Sequence, residues 1–230
     1  MDELALNTVP IGTAYERLKS DILKGRYRPG ERLLMSALKE RYAVGTGPMR
    51  EILAQLVAQR LVIAISQKGY RVASMSLAEM ADIYEARARL EALIVTMAVE
   101  RGDDRWEAMI IAAEHTLAKV VEVRTAEEMA DIWDSRHKAF HTAIASGCGS
   151  SSLMQARAYL FDQAERYRQI WLQRTVLSED ALQLKRDEHA SLVKSLLSRD
   201  AQHASAITFA HLMTPVPIIA KIIEQEFAGL

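Results

Sequence analysis

Residues 45–56, GTGPMREILAQL, decide the fold class of the first part of the chain. Small residues and Pro48 come first, and proline suits the first turn of a helix, where its missing N–H would have no partner anyway. Ile52, Leu53 and Leu56 follow at the spacing of one helical face. The stretch therefore predicts a helix with a small-residue N-terminus and one buried side.

The segments on either side of this helix predict a winged helix-turn-helix. A short helix is expected at about Ser36–Tyr42, and an earlier one is expected to begin with a capping box at Thr13–Glu16. After the quoted helix, the β-rich residues 61–65, a tight turn at 67–69 and the return at 70–72 predict a two-stranded wing.

From Ser76 onward the hydrophobic pattern is helical, and no strand is expected. Seven predicted helices with short connections are typical of an antiparallel bundle. The expected fold is mainly α, with a winged helix-turn-helix domain at residues 1–75 and an all-helical domain at residues 76–230. Little Gly or Pro lies near this boundary, so the linker is expected to be short.

Charge is distributed unevenly between the two predicted domains. Residues 1–75 carry twelve Lys and Arg against seven Asp and Glu, whereas residues 76–230 carry seventeen against twenty-three. A basic module joined to an acidic one favours binding of a polyanion by the first module alone.

Composition favours a globular protein of the cytoplasm. Half of the residues are apolar, which suffices for a sizeable core. Cys148 is the only cysteine, so an intrachain disulfide is excluded, as suits a reducing compartment. The start of the chain does not resemble a signal peptide, and no apolar run reaches the ~20 residues of a membrane span. We expect no membrane association.

DNA contacts are expected at the start of the quoted helix, because the second helix of this motif places its N-terminal turn in the major groove. Thr46 and Gly47 are small enough for close approach to a phosphate, and Arg50 can pair with a phosphate or a guanine. Lys68 and Gly69 lie at the tip of the predicted wing. On the residues alone, the alternative is a solvated basic surface.

Four motifs resemble the winged helix of the GntR regulator superfamily: Tyr27–Gly30, Pro48–Leu53, Leu61–Val62 and Gly69–Val72. The remainder resembles the FadR branch of that superfamily, with its FCD-type sensor domain. The resemblance implies a homodimeric transcriptional repressor that binds operator DNA and a small organic acid. It carries over Arg50 and Gly69, but the family's Ser-Arg-Thr before Pro48 is replaced here, so the usual base-reading Arg is absent at position 46.

The histidines predict a metal site. His137 and His141 are four residues apart on one predicted helix, so both rings face the same side. The alternative is a coincidence on a partly buried face. The resemblance to metal-binding FCD domains adds His189 and His211 as ligands, and it marks His137 as a departure, because the family usually has Asp there.

Four neutral imidazoles would leave the charge of a divalent ion uncompensated, which favours binding of an anion. Imidazole suits several transition metals, of which we expect zinc, with nickel or another as alternatives. The resemblance implies that Arg87, in the family's Arg-x-x-x-Glu with Glu91, contacts the effector. A surface Arg87–Glu91 pair is the alternative. Tyr167, Arg168 and Trp171, along the fourth predicted helix of this domain, are weaker candidates.

The expected effector is a five-carbon dicarboxylate, glutarate or 2-hydroxyglutarate. This expectation comes from a closer similarity to a glutarate-responsive repressor of the family, carried by residues 67–76, 140–149, 174–178 and 214–219. Lactate, gluconate or an acyl group are alternative effectors. A helical metalloenzyme is the alternative from another class, but no HExxH motif accompanies the histidines, and we do not expect an enzyme.

Overall fold

A computed structural model describes residues 10–174 and 177–226. They form two compact units, one ending at Ser76 and the other spanning Leu77–Glu226. The outer ends of the two predicted domains, residues 1–9 and 227–230, lie outside the described residues. Each unit is described separately below.

The first unit is a winged helix-turn-helix, as predicted. Its elements are α1 (Ile11–Leu23), β1 (Arg32–Leu33), α2 (Met35–Tyr42), α3 (Thr46–Ala58), β2 (Val62–Ile65) and β3 (Gly69–Val72). The sheet is antiparallel in the order β1-β3-β2. Apolar residues of all three helices fill its core, among them Leu18, Leu38, Ile52, Leu53 and Leu56.

Two details of this unit differ from the prediction. The sheet has a third strand, in which Arg32 and Leu33 pair with Arg71 and Tyr70. This strand was not predicted, because two residues are too few to show a hydrophobic period in the sequence. The capping box at Thr13–Glu16 is wrong. The N-cap is Pro10, three residues earlier than predicted, and helix α1 has no side-chain cap.

The second unit is a helical bundle, as predicted, and contains no strand among its described residues. Its α-helices are α4 (Leu77–Arg101), α5 (Asp104–Ala118), α6 (Ala126–Glu128), α7 (Ser135–Ser146), α8 (Ser151–Arg174), α9 (Glu179–Leu197), α10 (Ala201–Met213) and α11 (Val216–Glu226). The long helix α4 packs against α7, α8 and α10, and so forms the centre of the bundle.

One helical stretch of the bundle is interrupted by a π-helical segment, Met129–Asp134, between α6 and α7. It starts at a side-chain cap, since the Thr125 hydroxyl accepts a hydrogen bond of 3.0 Å from the Glu128 N–H. The wider π turn buries Met129, Trp133 and Asp134 just before the first two predicted metal ligands. Single π turns inside helices often lie at functional sites.

The helical stretch Ala201–Gln225 is long and apolar enough to span a membrane by length and composition alone. It comprises α10 and α11, which pack against other helices of the unit, α10 most extensively against α4. One such stretch is only a weak indication of a membrane span.

Candidate effector site and DNA interface

The structure brings the four predicted histidine ligands together. His137 and His141 come from α7, His189 from α9 and His211 from α10. One ring nitrogen of each lies within 4.8 Å of the corresponding atoms of the other three. The Nε2 atom of His137 lies 3.1 Å from Nε2 of His141 and 3.1 Å from Nε2 of His211.

The chemistry of this cluster fits a divalent ion. Two nitrogens at the bond length of zinc lie about 3.3 Å apart in a tetrahedron, close to the observed spacing. The His189 Nε2 atom is buried and has no hydrogen-bond partner among the described residues. Burial lowers the pKa of all four imidazoles, that of His189 to about 3, so the rings are in the neutral form that binds metals.

Two contacts orient the histidine rings. His211 Nδ1 donates to Glu188 Oε2 at 3.1 Å, which leaves its Nε2 facing the cluster. This bond and one from Lys185 lower the pKa of Glu188 to about 2. Trp133 stacks on His137 with ring centroids 4.6 Å apart. Metal-binding histidines usually donate their second N–H to such a partner, and Glu188 therefore belongs to the site.

A cavity of about 250 Å³ opens beside the cluster. This equals the volume of about eight water molecules, enough for a small organic ligand. Helices α4, α7, α8, α9 and α10 contribute to its wall. The lining includes His137, His141 and His211 on one side, the cations Arg87, Lys138 and Arg168, and the aromatic residues Tyr84, Trp133, Phe161 and Trp171.

Arg87 belongs to a buried group of three charges in which positive charge is in excess. Arg157 Nε donates to Glu91 Oε2 at 2.9 Å, while Arg87 Nε lies 3.9 Å from Glu91 Oε1, too far for a hydrogen bond. Neither Arg87 Nε nor Glu91 Oε1 has a hydrogen-bond partner among the described residues. Two guanidinium groups therefore share one carboxylate. The alternative of a surface Arg87–Glu91 pair is wrong, because both side chains are buried.

The neighbouring charges balance one another. Lys138 Nζ lies 2.8 Å from Asp134 Oδ2 and 2.6 Å from Glu165 Oε1, and Arg168 also pairs with both carboxylates. Burial acts to raise the pKa of Glu165, but the charges of Arg168 and Lys138 lower it below its usual value. The excess positive charge therefore stays with Arg87 and Arg157.

The other predicted effector contacts are placed differently. Arg168 lines the cavity, but its guanidinium already pairs with Asp134. Tyr167 is buried outside the cavity lining, and its hydroxyl donates to Glu79 Oε2 at 2.6 Å. Tyr84 lines the cavity and was not predicted, although its position three residues before Arg87 puts both on one face of α4.

The predicted DNA contacts lie on two exposed parts of the first unit. Thr46, Gly47 and Arg50 are exposed on the first two turns of α3, whose N-terminus has no side-chain cap, so its amide groups remain available to a phosphate. Lys68 is exposed at the turn of the wing, and Gly69 follows it with φ of +85° and no heavy atom near its absent side chain.

Both units match known families. Residues 10–72 match the family described as bacterial regulatory proteins, gntR family, and residues 82–214 match the FCD domain. The chain is 53% identical over 215 residues to the HTH-type transcriptional repressor GlaR of Escherichia coli strain K12, covering 94% of this chain and 96% of that protein.

More distant similarities agree with these matches. The chain is 32% identical to the uncharacterized HTH-type transcriptional regulator BphR of Paraburkholderia xenovorans strain LB400, over 92% of this chain and 85% of that one. Among solved structures, Escherichia coli McbR/YncC superposes with a TM-score of 0.75 at 18% identity, covering 93% of this chain and 99% of that chain. At this identity the likeness shows the shared fold.

Proposed function

Because the chain belongs to the gntR family of bacterial regulatory proteins and is a transcriptional repressor with an FCD effector-binding domain, we propose that it releases operator DNA when it binds a small dicarboxylate, glutarate or 2-hydroxyglutarate. Its relatives are regulators and it is not an enzyme. The observation that carries the proposal is the cavity, whose wall includes three imidazoles of the four-histidine cluster and a buried guanidinium that shares its carboxylate with Arg157.

One carboxylate of the acid binds at the histidine cluster. His137, His141, His189 and His211 hold a divalent ion, zinc in our proposal, with nickel as the alternative. Such an ion would supply positive charge, and the carboxylate would bind it as a further ligand beside the four imidazoles, since zinc can expand from four to five ligands. Glu188 keeps the His211 ring in the orientation this requires.

The other carboxylate pairs with Arg87. This guanidinium lines the cavity, is buried, and within the described part of the chain shares its one neighbouring carboxylate, that of Glu91, with Arg157. An anion at this point would compensate the excess charge, and a guanidinium can bind a carboxylate through two parallel hydrogen bonds. A monocarboxylate could satisfy only one of the two sites, so a dicarboxylate is favoured.

Operator DNA is bound by the first unit of each subunit of a homodimer. Arg50 and the N-terminal turn of α3 enter the major groove, while Lys68 and Gly69 of the wing contact the backbone or the minor groove. Helix-turn-helix dimers bind operators made of two half-sites related by a two-fold axis. A homodimer of this chain would have the same two-fold symmetry, which supports the proposal that it binds as a dimer.

A thermal-shift screen of the zinc-loaded protein against small acids tests the effector. A ligand that binds only the folded state raises the melting temperature, by an amount that grows with its concentration over Kd. We expect glutarate and 2-hydroxyglutarate to raise it, and lactate, gluconate and pentanoate to raise it less at equal concentration. A larger shift with one of those three acids would show that the effector is misidentified.

A further inference from the structure

Two neutral donors in the cavity wall lack partners. The hydroxyl of Tyr84 and the indole Nε1 of Trp171 are buried, and neither atom has a hydrogen-bond partner among the described residues. Both side chains line the cavity and are less than a tenth exposed. Buried polar groups in native proteins are nearly always paired, so each such atom calls for a partner that enters the cavity.

Tyr84 lies at the guanidinium side of the cavity. It precedes Arg87 by three residues on α4, so the two side chains share a helical face. The charges of Arg87 and Arg168 both act on its hydroxyl, yet burial raises the pKa of Tyr84 to about 12. The hydroxyl therefore stays protonated and can donate a hydrogen bond to an anion.

Trp171 lies toward the histidine side. It follows Arg168 by three residues on α8, and its ring meets the edge of Trp133 with centroids 6.3 Å apart. Trp133 in turn stacks on His137. Trp133 therefore contacts both the indole of Trp171 and a ring of the histidine cluster.

We propose that Tyr84 and Trp171 are specificity-determining residues of the effector site. The Tyr84 hydroxyl donates to the carboxylate that pairs with Arg87, and the Trp171 N–H donates to the carboxylate at the histidine cluster. This inference rests on the function proposed above. Charge alone attracts any anion, whereas a site with unpaired neutral donors discriminates strongly against ligands that lack the matching oxygen atoms.

Calorimetry on the zinc-loaded, full-length protein tests Tyr84 with two acids of equal chain length. Tyr84→Phe should weaken binding of glutarate about tenfold, the effect of one lost hydrogen bond to a charged group. It should leave binding of pentanoate, which lacks the second carboxylate, within about twofold. Tyr159→Phe, on the exposed side of α8, is the matched control and should change neither affinity.

The possible failures of this titration are distinguishable. If wild-type protein binds glutarate and Tyr84→Phe binds it equally well, the role of Tyr84 is refuted and the proposed function stands. If zinc-loaded wild-type protein binds no dicarboxylate, the proposed function fails, and this inference fails with it.

The melting temperature of the ligand-free protein gives a second test of Tyr84, in which the substitution should not weaken the property that is measured. Since its hydroxyl has no partner within the described protein, Tyr84→Phe should melt at the wild-type temperature or above it in the absence of acid. A lower melting temperature would show that the hydroxyl pairs within the protein, and would overturn its assignment to the ligand.

Trp171 can be tested without a substitution, because the chain has three tryptophans. In selectively ¹⁵N-tryptophan-labelled, zinc-loaded protein, saturating glutarate should move the indole N–H resonance of Trp171 downfield. The Trp106 indole N–H already donates to the Ile144 carbonyl at 2.9 Å and should stay in place. A Trp171 resonance that does not move at saturation would refute its role.

Discussion

The identity of residue 137 sets the charge of the histidine cluster. A carboxylate at this position would reduce the charge of a metal centre by one unit relative to an imidazole. His137→Asp should therefore keep the metal but weaken binding of glutarate, by about tenfold or more. Metal analysis and calorimetry of the same sample measure both effects. Equal or tighter binding of glutarate would contradict the charge argument.

His141 and His203 form a matched pair for testing the metal site. His141 belongs to the cluster, whereas His203 is exposed on α10. His141→Ala should bind metal more weakly and retain less than one ion per chain after dialysis, because one of the four proposed ligands is lost. His203→Ala should retain one metal per chain by elemental analysis. Equal metal content in both variants would refute the assignment.

Arg50 is the cation that we propose contacts a base of the operator. Arg50→Ala should weaken operator binding by about 1–3 kcal/mol if the side chain contacts a base, as measured by gel-shift titration at fixed salt. Arg105→Ala, which removes an exposed cation from α5 of the second unit, should bind as wild type does. Unchanged affinity for Arg50→Ala would remove this residue from the interface.

At the scale of residues, the sequence predicts members of the site that share a helix or a family motif. His137 and His141 have the four-residue spacing of one helical face, and Tyr84 could have been found by the same rule. Glu188 and Arg157 could not, because they reach His211 and Glu91 only through packing of different helices. Local periodicity contains no information about such pairs.

At the scale of elements, the turn between α2 and α3 is strained. Ala43 has φ of 52° and ψ of 45°, the left-handed conformation that an L-residue other than Gly adopts at a cost of about 1–2 kcal/mol. Ala43→Gly should therefore raise the free energy of unfolding. The net gain is about 0.5–1 kcal/mol, because the greater conformational entropy of Gly in the unfolded chain offsets part of the relieved strain. Urea unfolding followed by circular dichroism, at one protein concentration, measures the change.

Ala37, exposed within α2, is the control for this substitution. Ala37→Gly should lower the free energy of unfolding by about 1 kcal/mol, the usual difference between the two residues inside a helix. A loss of stability in both variants would show that the Ala43 conformation is not strained.

Most helices could be predicted because their apolar residues repeat over several turns. Strand β1 could not, since two residues give no period and Leu33 is buried by tertiary packing in the core of the first unit. The π-helical segment escaped prediction for a related reason. The sequence of this segment is compatible with an ordinary α-helix. Only the burial of Trp133 and Asp134 in the structure shows that the buried face of the helix has shifted.

At the scale of the whole molecule, the proposed function couples the binding of operator DNA to the binding of the effector. If glutarate weakens operator binding by some factor, operator DNA must weaken glutarate binding by the same factor, typically ~5–150-fold. Calorimetric titration of glutarate into zinc-loaded protein, with and without saturating operator, measures this factor. Identical affinities in the two titrations would mean that glutarate binds without acting as the switch.

The π-helical segment at Met129–Asp134 also bears on how this regulator can change over generations. An α-helix turns by about 100° per residue, so gain or loss of a single codon here would rotate the preceding residues of this helical stretch by about that angle relative to α7. The codons for His137 and His141 lie after the segment, and their register would be untouched. A codon gained or lost between Trp133 and His137 would place a different side chain against the His137 ring. Such a change in length would alter the aromatic wall beside the cluster and leave the four histidine codons unchanged.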